Sequence, residues 1–207
     1  MKGYIFDLDG VLVDTAKYHY IAWKTIAKEF NFELTPQHNE QLKGIGREVS
    51  LHQILQWAGK TLSETDFTDT ALRKNKLYLE QISSIDSSEL LPGVLNFLQL
   101  LKAHHKKIAL GSASRNARLV LERTGILPLF DAIVDGTMVS KAKPNPEVFL
   151  KAAEGLGLPP ADCCVFEDAP AGVQATKSAG MKVIGVGNPE VLKAADTVIP
   201  NFLNIKI

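Results

Sequence analysis

Two aspartates stand two residues apart near the start of the chain, in Phe6-Asp7-Leu8-Asp9-Gly10. A carboxylate can attack phosphorus directly, giving an acyl phosphate that is split in a second step. A second carboxylate two residues on can protonate the leaving oxygen and then deprotonate the next acceptor. Further polar groups follow in order: Gly111-Ser112-Ala113-Ser114-Arg115-Asn116, then Lys141-Ala142-Lys143-Pro144, then Glu167-Asp168. Clustered carboxylates repel one another, and the usual remedy is a hard cation such as Mg2+ with oxygen ligands. Such an ion bridges phosphate oxygens to the protein, while Lys143 and Ser112 would neutralise and orient the transferring group. Each piece alone has a plainer reading. Asp-x-Asp pairs occur in solvated turns, Ser114 or Asn116 could cap a helix, Lys143 could be a surface residue, and Glu167-Asp168 could be a helix entry.

What separates these readings is where the chain delivers each group. Tyr4-Ile5-Phe6 is a short apolar run ending in Asp7, which reads as a buried strand carrying its carboxylates at the C-terminal end. From about Thr15 to Ser84 the pattern is helical throughout. Leu51, Ile54, Leu55 and Ala58 share a face and Gly59 follows as a stop, while Thr35-Pro36 is a helix start. After Leu91-Pro92-Gly93 the chain alternates. Strands are expected at Ile108–Leu110, Ala132–Val134, Cys163–Phe166 and Val183–Val186, with a weaker one at Thr197–Ile199. Helices are expected between them, at Val94–Leu101, Asn116–Arg123, from Asn145-Pro146-Glu147 onward, and at Ala171–Ala179. Strands that are nearly all apolar and alternate with helices imply a parallel sheet covered on both faces. The expected fold is therefore α/β: a doubly wound, Rossmann-like core of residues 1–13 and 87–207 with a helical cap of residues 14–86 inserted after its first strand. In such sheets ligands bind beyond the carboxyl ends of the strands. Every polar group named above falls at such an end, and this co-occurrence overrides the plainer readings.

Composition narrows the function classes. Lys+Arg and Asp+Glu both number 23 among 207 residues, so the formal net charge is zero. No overall basic field exists to attract nucleic acid or an anionic membrane. No apolar run approaches the ~20 residues of a spanning helix, and Asp7 and Asp9 interrupt the first apolar stretch where a signal peptide needs continuity. A cytoplasmic monomer acting on a small molecule is the expectation. The two cysteines, Cys163 and Cys164, are adjacent, and Cα atoms ~3.8 Å apart are too close for a relaxed disulfide. They read as reduced thiols in a buried strand.

The four segments, in this order, resemble the motifs of the haloacid dehalogenase superfamily. Phe6-Asp7-Leu8-Asp9-Gly10-Val11-Leu12-Val13-Asp14-Thr15 is similar to the first, Ser112 to the second, Lys143-Pro144 to the third, and Glu167-Asp168-Ala169-Pro170-Ala171-Gly172 to the fourth. Within the superfamily the closer resemblance is to the β-phosphoglucomutase family. It rests on Asp14-Thr15-Ala16-Lys17-Tyr18-His19, Ala22-Trp23-Lys24, Asn39 to Glu48, Arg73-Lys74-Asn75 and Ser112 to Asn116. That resemblance implies interconversion of β-glucose 1-phosphate and glucose 6-phosphate through the 1,6-bisphosphate. Asp7 would be the phosphorylated nucleophile and Asp9 the acid/base. Asp7, the Asp9 carbonyl, Glu167 and Asp168 would surround Mg2+. Gly44, Ile45 and Arg47 of the cap would meet Ser114, Arg115 and Asn116 of the core around the sugar phosphate, with His19, Trp23 and Lys74 near the cleft. Two positions depart from the family: Arg115 stands where lysine is usual, and Gly44-Ile45-Gly46 is richer in glycine. The rival reading is a sugar-phosphate or pyrophosphate phosphatase of the same superfamily, with water as second acceptor. A signalling receiver also carries a phosphorylatable aspartate and a lysine on a parallel sheet, but the helical insertion and Asp9 argue against it.

Overall fold

The computed structural model describes residues 1–205. Its strands are β1 (Gly3–Phe6), β2 (Lys107–Gly111), β3 (Ala132–Val134), β4 (Cys163–Glu167), β5 (Lys182–Val186) and β6 (Thr197–Ile199). They form one sheet in the order β3-β2-β1-β4-β5-β6, with every pairing parallel. The helices are α1 (Ala16–Glu29), α2 (Pro36–Glu40), α3 (Arg47–Ala58), α4 (Glu64–Gln81), α5 (Val94–Ala103), α6 (Ala117–Arg123), α7 (Glu147–Gly155) and α8 (Pro170–Ser178). The strand order reverses between β1 and β4, and at such a switch point the flanking crossovers leave a crevice above the strand ends.

Side chains of a strand alternate between faces, and the central strands are apolar on both. Tyr4, Phe6, Ile108, Leu110, Cys164 and Phe166 pack with Phe97, Leu101, Val120 and Leu121 of α5 and α6. Ile5, Ala109, Cys163 and Val165 pack with Val148, Phe149, Ala152 and Ala175 of α7 and α8. Both cysteines are free and buried. Phe6 and Phe166 are register partners across β1 and β4, and their rings stack with centroids 4.7 Å apart. Removing rings of this size from water contributes about 1.5–3 kcal/mol each. The stack lies one residue before Asp7 on one strand and one before Glu167 on the other, so packed aromatic core lies directly beneath the polar edge.

The stretch expected to be helical throughout is divided into four helices, because the backbone leaves αR at Asn31 (φ 57°), Gly44 (φ 71°) and Gly59 (φ 61°). The start of α2 uses Thr35, whose Oγ1 accepts from the His38 N–H at 3.3 Å. Helix α3 ends at the left-handed Gly59. These helices enclose an apolar cluster of their own, including Trp23, Ile26, Leu34, Leu51, Ile54 and Leu55. The cap joins the sheet through two adjacent strands of chain. Val13 bridges Leu90 in antiparallel fashion, the Leu91 N–H donates to the Leu12 carbonyl at 3.0 Å, and the Asp14 N–H donates to the Glu89 carbonyl at 2.9 Å. Among the described residues no helix is long and apolar enough to cross a membrane.

Candidate active site

Three carboxylates, of Asp7, Glu167 and Asp168, offer oxygens within 4.8 Å of one another beyond the ends of β1 and β4. Parallel pairing fixes this proximity: the Asp7 N–H continues the ladder by donating to the Phe166 carbonyl at 3.0 Å. Lys143 reaches in from the loop after β3, 3% exposed, and donates to Asp7 Oδ1 at 2.7 Å and Glu167 Oε1 at 2.6 Å. The other Glu167 oxygen accepts from the Ala169 N–H at 2.8 Å. The packing around these groups leaves no slack. A Cβ on Gly172 would lie 1.7 Å from Glu167 Oε1, and one on Gly10 would lie 2.3 Å from Asp168 Oδ2, at a φ of +81° that favours glycine in any case.

The electrostatics follow from this crowding. Burial pushes the Asp7 carboxyl up to about 7, with Lys143 offsetting part of the shift and Glu167 adding to it. Burial and then the Glu167 and Asp7 charges hold Asp168 well above the usual carboxylate range. Burial would lower the Lys143 ammonium, but Asp7 and Glu167 outweigh it and raise it. When all three are ionised, three carboxylates against one ammonium carry a surplus of two negative charges, which adds to burial in pushing Asp7 and Asp168 up in the absence of a cation. An all-oxygen donor set with that surplus fits one hard divalent cation of the Mg2+ kind.

The Asp9 carboxylate turns away from this cluster. It accepts from Thr15 Oγ1 at 2.5 Å and lies 3.6 Å from His19 Nε2. Desolvation in the cleft raises it, but His19, Thr15 and Lys74 outweigh that and hold it low. His19 stacks on Tyr78 with centroids 3.9 Å apart, and its Nδ1 lies 2.6 Å from Lys74 Nζ. Lys74 is 3% exposed, over the Trp23 ring at 4.8 Å. Burial, then the Arg47 charge, lowers its ammonium to about 7.

One cavity connects the sheet edge to the cap. Asp7, Asp9 and Ser112 line it from the core with Ser114, Arg115 and Asn116, and the cap contributes His19, Trp23, Gly44, Ile45, Arg47 and Lys74. Lys143, Glu167 and Asp168 are not among the residues lining this cavity; Lys143 and Glu167 are instead tied to Asp7. The cap loop comes close enough that a Cβ on Gly44 would lie 3.1 Å from Ala169 Cβ. Ser112 is buried and its Oγ accepts from the Ser114 N–H at 3.1 Å.

Arg115 is the exception in the set. It lines the cavity, but its exposed guanidinium pairs with Glu48 of the cap at 3.0 Å. Sequence reasoning did not single out Thr15, Asn75 or Glu147 for a role. Glu147 accepts from the Ser140 and Lys141 N–H groups at 3.1 and 2.8 Å and pairs with Lys151 at 2.8 Å. Lys151 and these N–H groups pull its carboxyl down to about 2, which pins the loop that carries Lys143. Its place at the first turn of α7, after Asn145-Pro146, was a readable signal for such an anchor.

Residues 4–186 match the profile of the haloacid dehalogenase-like hydrolase family, and the chain belongs to that family. Among its relatives, the β-phosphoglucomutase of Bacillus subtilis is 47% identical over 201 residues, covering 96% of this chain and 89% of that protein. The crystal structure of a β-phosphoglucomutase from Clostridium difficile superposes with a TM-score of 0.96 at 42% identity, covering 100% of this chain and 93% of that one. A fructose-1-phosphate phosphatase of Escherichia coli is 31% identical over 188 residues, covering 89% and 95%.

Proposed function

We infer that the chain is a phosphomutase that interconverts β-D-glucose 1-phosphate and glucose 6-phosphate through an aspartyl-phosphate enzyme and glucose 1,6-bisphosphate. The observation that carries this reading is that one cavity is lined both by Asp7, beside Lys143, and by Arg47 of the cap and Asn116 of the core. A bisphosphate requires two anion sites in one enclosure, and the similarity to proteins named β-phosphoglucomutase supplies the sugar.

In the proposed cycle the 6-hydroxyl of bound glucose 1-phosphate attacks the phosphorus on Asp7. Asp9, ionised in its contact with Thr15 and His19, takes the hydroxyl proton and the acyl-phosphate bond breaks. The bisphosphate turns over, the Asp7 carboxylate attacks the other phosphorus, and Asp9 returns the proton to the departing sugar oxygen. Lys143 and Ser112 hold the transferring group against Asp7. Arg47, with its planar fork, and Asn116 hold the phosphate that is not reacting. The cap excludes water while Asp7 is phosphorylated. Asp7, Asp168, Glu167 and the Asp9 carbonyl would hold Mg2+, which when bound supplies charge neutralisation at the phosphate oxygens. The division into a core of 1–13 and 87–207 and a cap of 14–86 belongs to the same proposal, supported by the separate apolar cluster that α1, α3 and α4 form with Leu34 and Leu42.

Chelation should remove activity reversibly, with Mg2+ restoring it. Asp168→Ala should weaken the apparent affinity for Mg2+ severely, since it removes one of three converging carboxylates. Full activity in excess chelator would refute the metal requirement.

The deciding measurement is a ratio read by phosphorus NMR: glucose 6-phosphate formed against inorganic phosphate released, from β-glucose 1-phosphate primed with a trace of the bisphosphate. Isomer should dominate. Arg47→Ala should lower mutase kcat/KM by about ten- to a few hundredfold, because a charge-assisted bond contributes about 1.5–3 kcal/mol. It should also leak more phosphate per isomerisation. Stoichiometric phosphate with no isomer from the unaltered protein would leave the phosphatase reading instead.

A further inference from the structure

Asn75, on α4, is half-buried and lies outside the apolar cluster of the cap. Its Oδ1 accepts from Arg47 Nη2 at 2.9 Å and from Asn116 Nδ2 at 2.8 Å. A guanidinium can only donate, so Arg47 determines which end of the Asn75 amide faces it. The oxygen placed there in turn determines which end of Asn116 faces Asn75. An arginine of the cap thus sets the orientation of an amide of the core, through one intervening side chain.

A second observation points the same way. Asn116 occupies the N-cap of α6, where asparagine ordinarily turns its oxygen onto the free N–H groups of the first turn. It makes no such bond. Its side chain is directed across the cleft to Asn75, and all three residues line the cavity. The helix gives up its cap for a contact between cap and core.

We propose that Asn75 is a positioning residue for the non-reacting phosphate, joining Arg47 to Asn116 so that the two donors take their places together when cap and core meet. This rests on the reading of Arg47 and Asn116 as ligands of that phosphate. A neutral amide suits the position, because it accepts two hydrogen bonds without placing a negative charge beside an anion.

The test compares glucose 1,6-bisphosphate with acetyl phosphate, a donor that has no second phosphate to hold. Asn75→Ala removes both accepted bonds. It is expected to lower kcat/KM for the bisphosphate by about ten- to a hundredfold, mainly through KM, while acetyl phosphate loses less than about threefold. Asn75→Asp retains both acceptors, so its partition between isomer and free phosphate should stay near that of the parent, even though its charge raises KM for the bisphosphate. Asn75→Ala combined with Asn116→Ala should cost less than about three times the larger single loss, as residues acting in one unit are not additive. Multiplicative losses would overturn the proposal. So would equal losses on both donors, or the same partition for Asn75→Asp and Asn75→Ala. If the unaltered protein only hydrolyses the bisphosphate, the mutase reading fails, while the preference for bisphosphate over acetyl phosphate still reports on Asn75.

Discussion

Replacing Asp7 with asparagine is expected to lower turnover by more than about 10⁴-fold, because a neutral amide cannot attack phosphorus or form the acyl phosphate. The fold should survive. Asp7 sits above the Phe6–Phe166 stack rather than within it, and the substitution keeps side-chain size while removing one of three mutually repelling carboxylates. Lys143 loses one partner but keeps Glu167 at 2.6 Å, so no charge is left alone in the interior, the circumstance that makes broken buried pairs costly. Circular dichroism should therefore be unchanged, and incubation with a phosphoryl donor should leave no phosphorylated protein by mass spectrometry. Activity within about tenfold of the parent would remove Asp7 from its role.

Asp9→Asn is expected to cost on the order of 10²–10⁴ in isomerisation rate, the range for a positioned acid/base. What is lost is a proton carrier. Asp9 rests ionised against Thr15 and His19, which is the state needed to take a proton from the attacking sugar hydroxyl. The proton it then carries is the one the next leaving oxygen requires. Asparagine can do neither. Phosphorylation of Asp7 by acetyl phosphate, whose leaving group needs little protonation, should suffer much less. Equal losses with good and poor leaving groups would show that Asp9 only holds the loop in shape. Asparagine still accepts from Thr15, so a structural explanation is separable from the chemical one.

The sheet and its polar edge were legible for one reason. In a parallel sheet the strands are short apolar runs, and the residue that ends each run is already at the ligand-binding edge. Asp7, Ser112 and Glu167 could be placed from this alone, and Lys143 from its motif. The order of strands was not readable, since which crossover passes over β1 depends on how helices pack and not on any local pattern. Nor was the ion pair of Arg115, because its partner Glu48 belongs to the cap. Asn75 escaped for the same reason, bonding to residues 28 and 41 positions away. Lys74 carried a usable clue: it shares a helical face with the buried Ala71 and Tyr78, and a lysine on an apolar stripe asks for a reason to be there.

The doubled connection at Val13 and Leu90 has a mechanical meaning. A body hung from a single thread can tumble in any sense. Hung from two straps laced together, as by the Leu91–Leu12 and Asp14–Glu89 bonds, it is better held against twisting than by one. The lacing does not stop at the straps: the Gly10 N–H donates to the Val13 carbonyl at 2.9 Å, and Asp9 itself bridges Val13. The laced straps and Asp9 are therefore neighbours on one short loop.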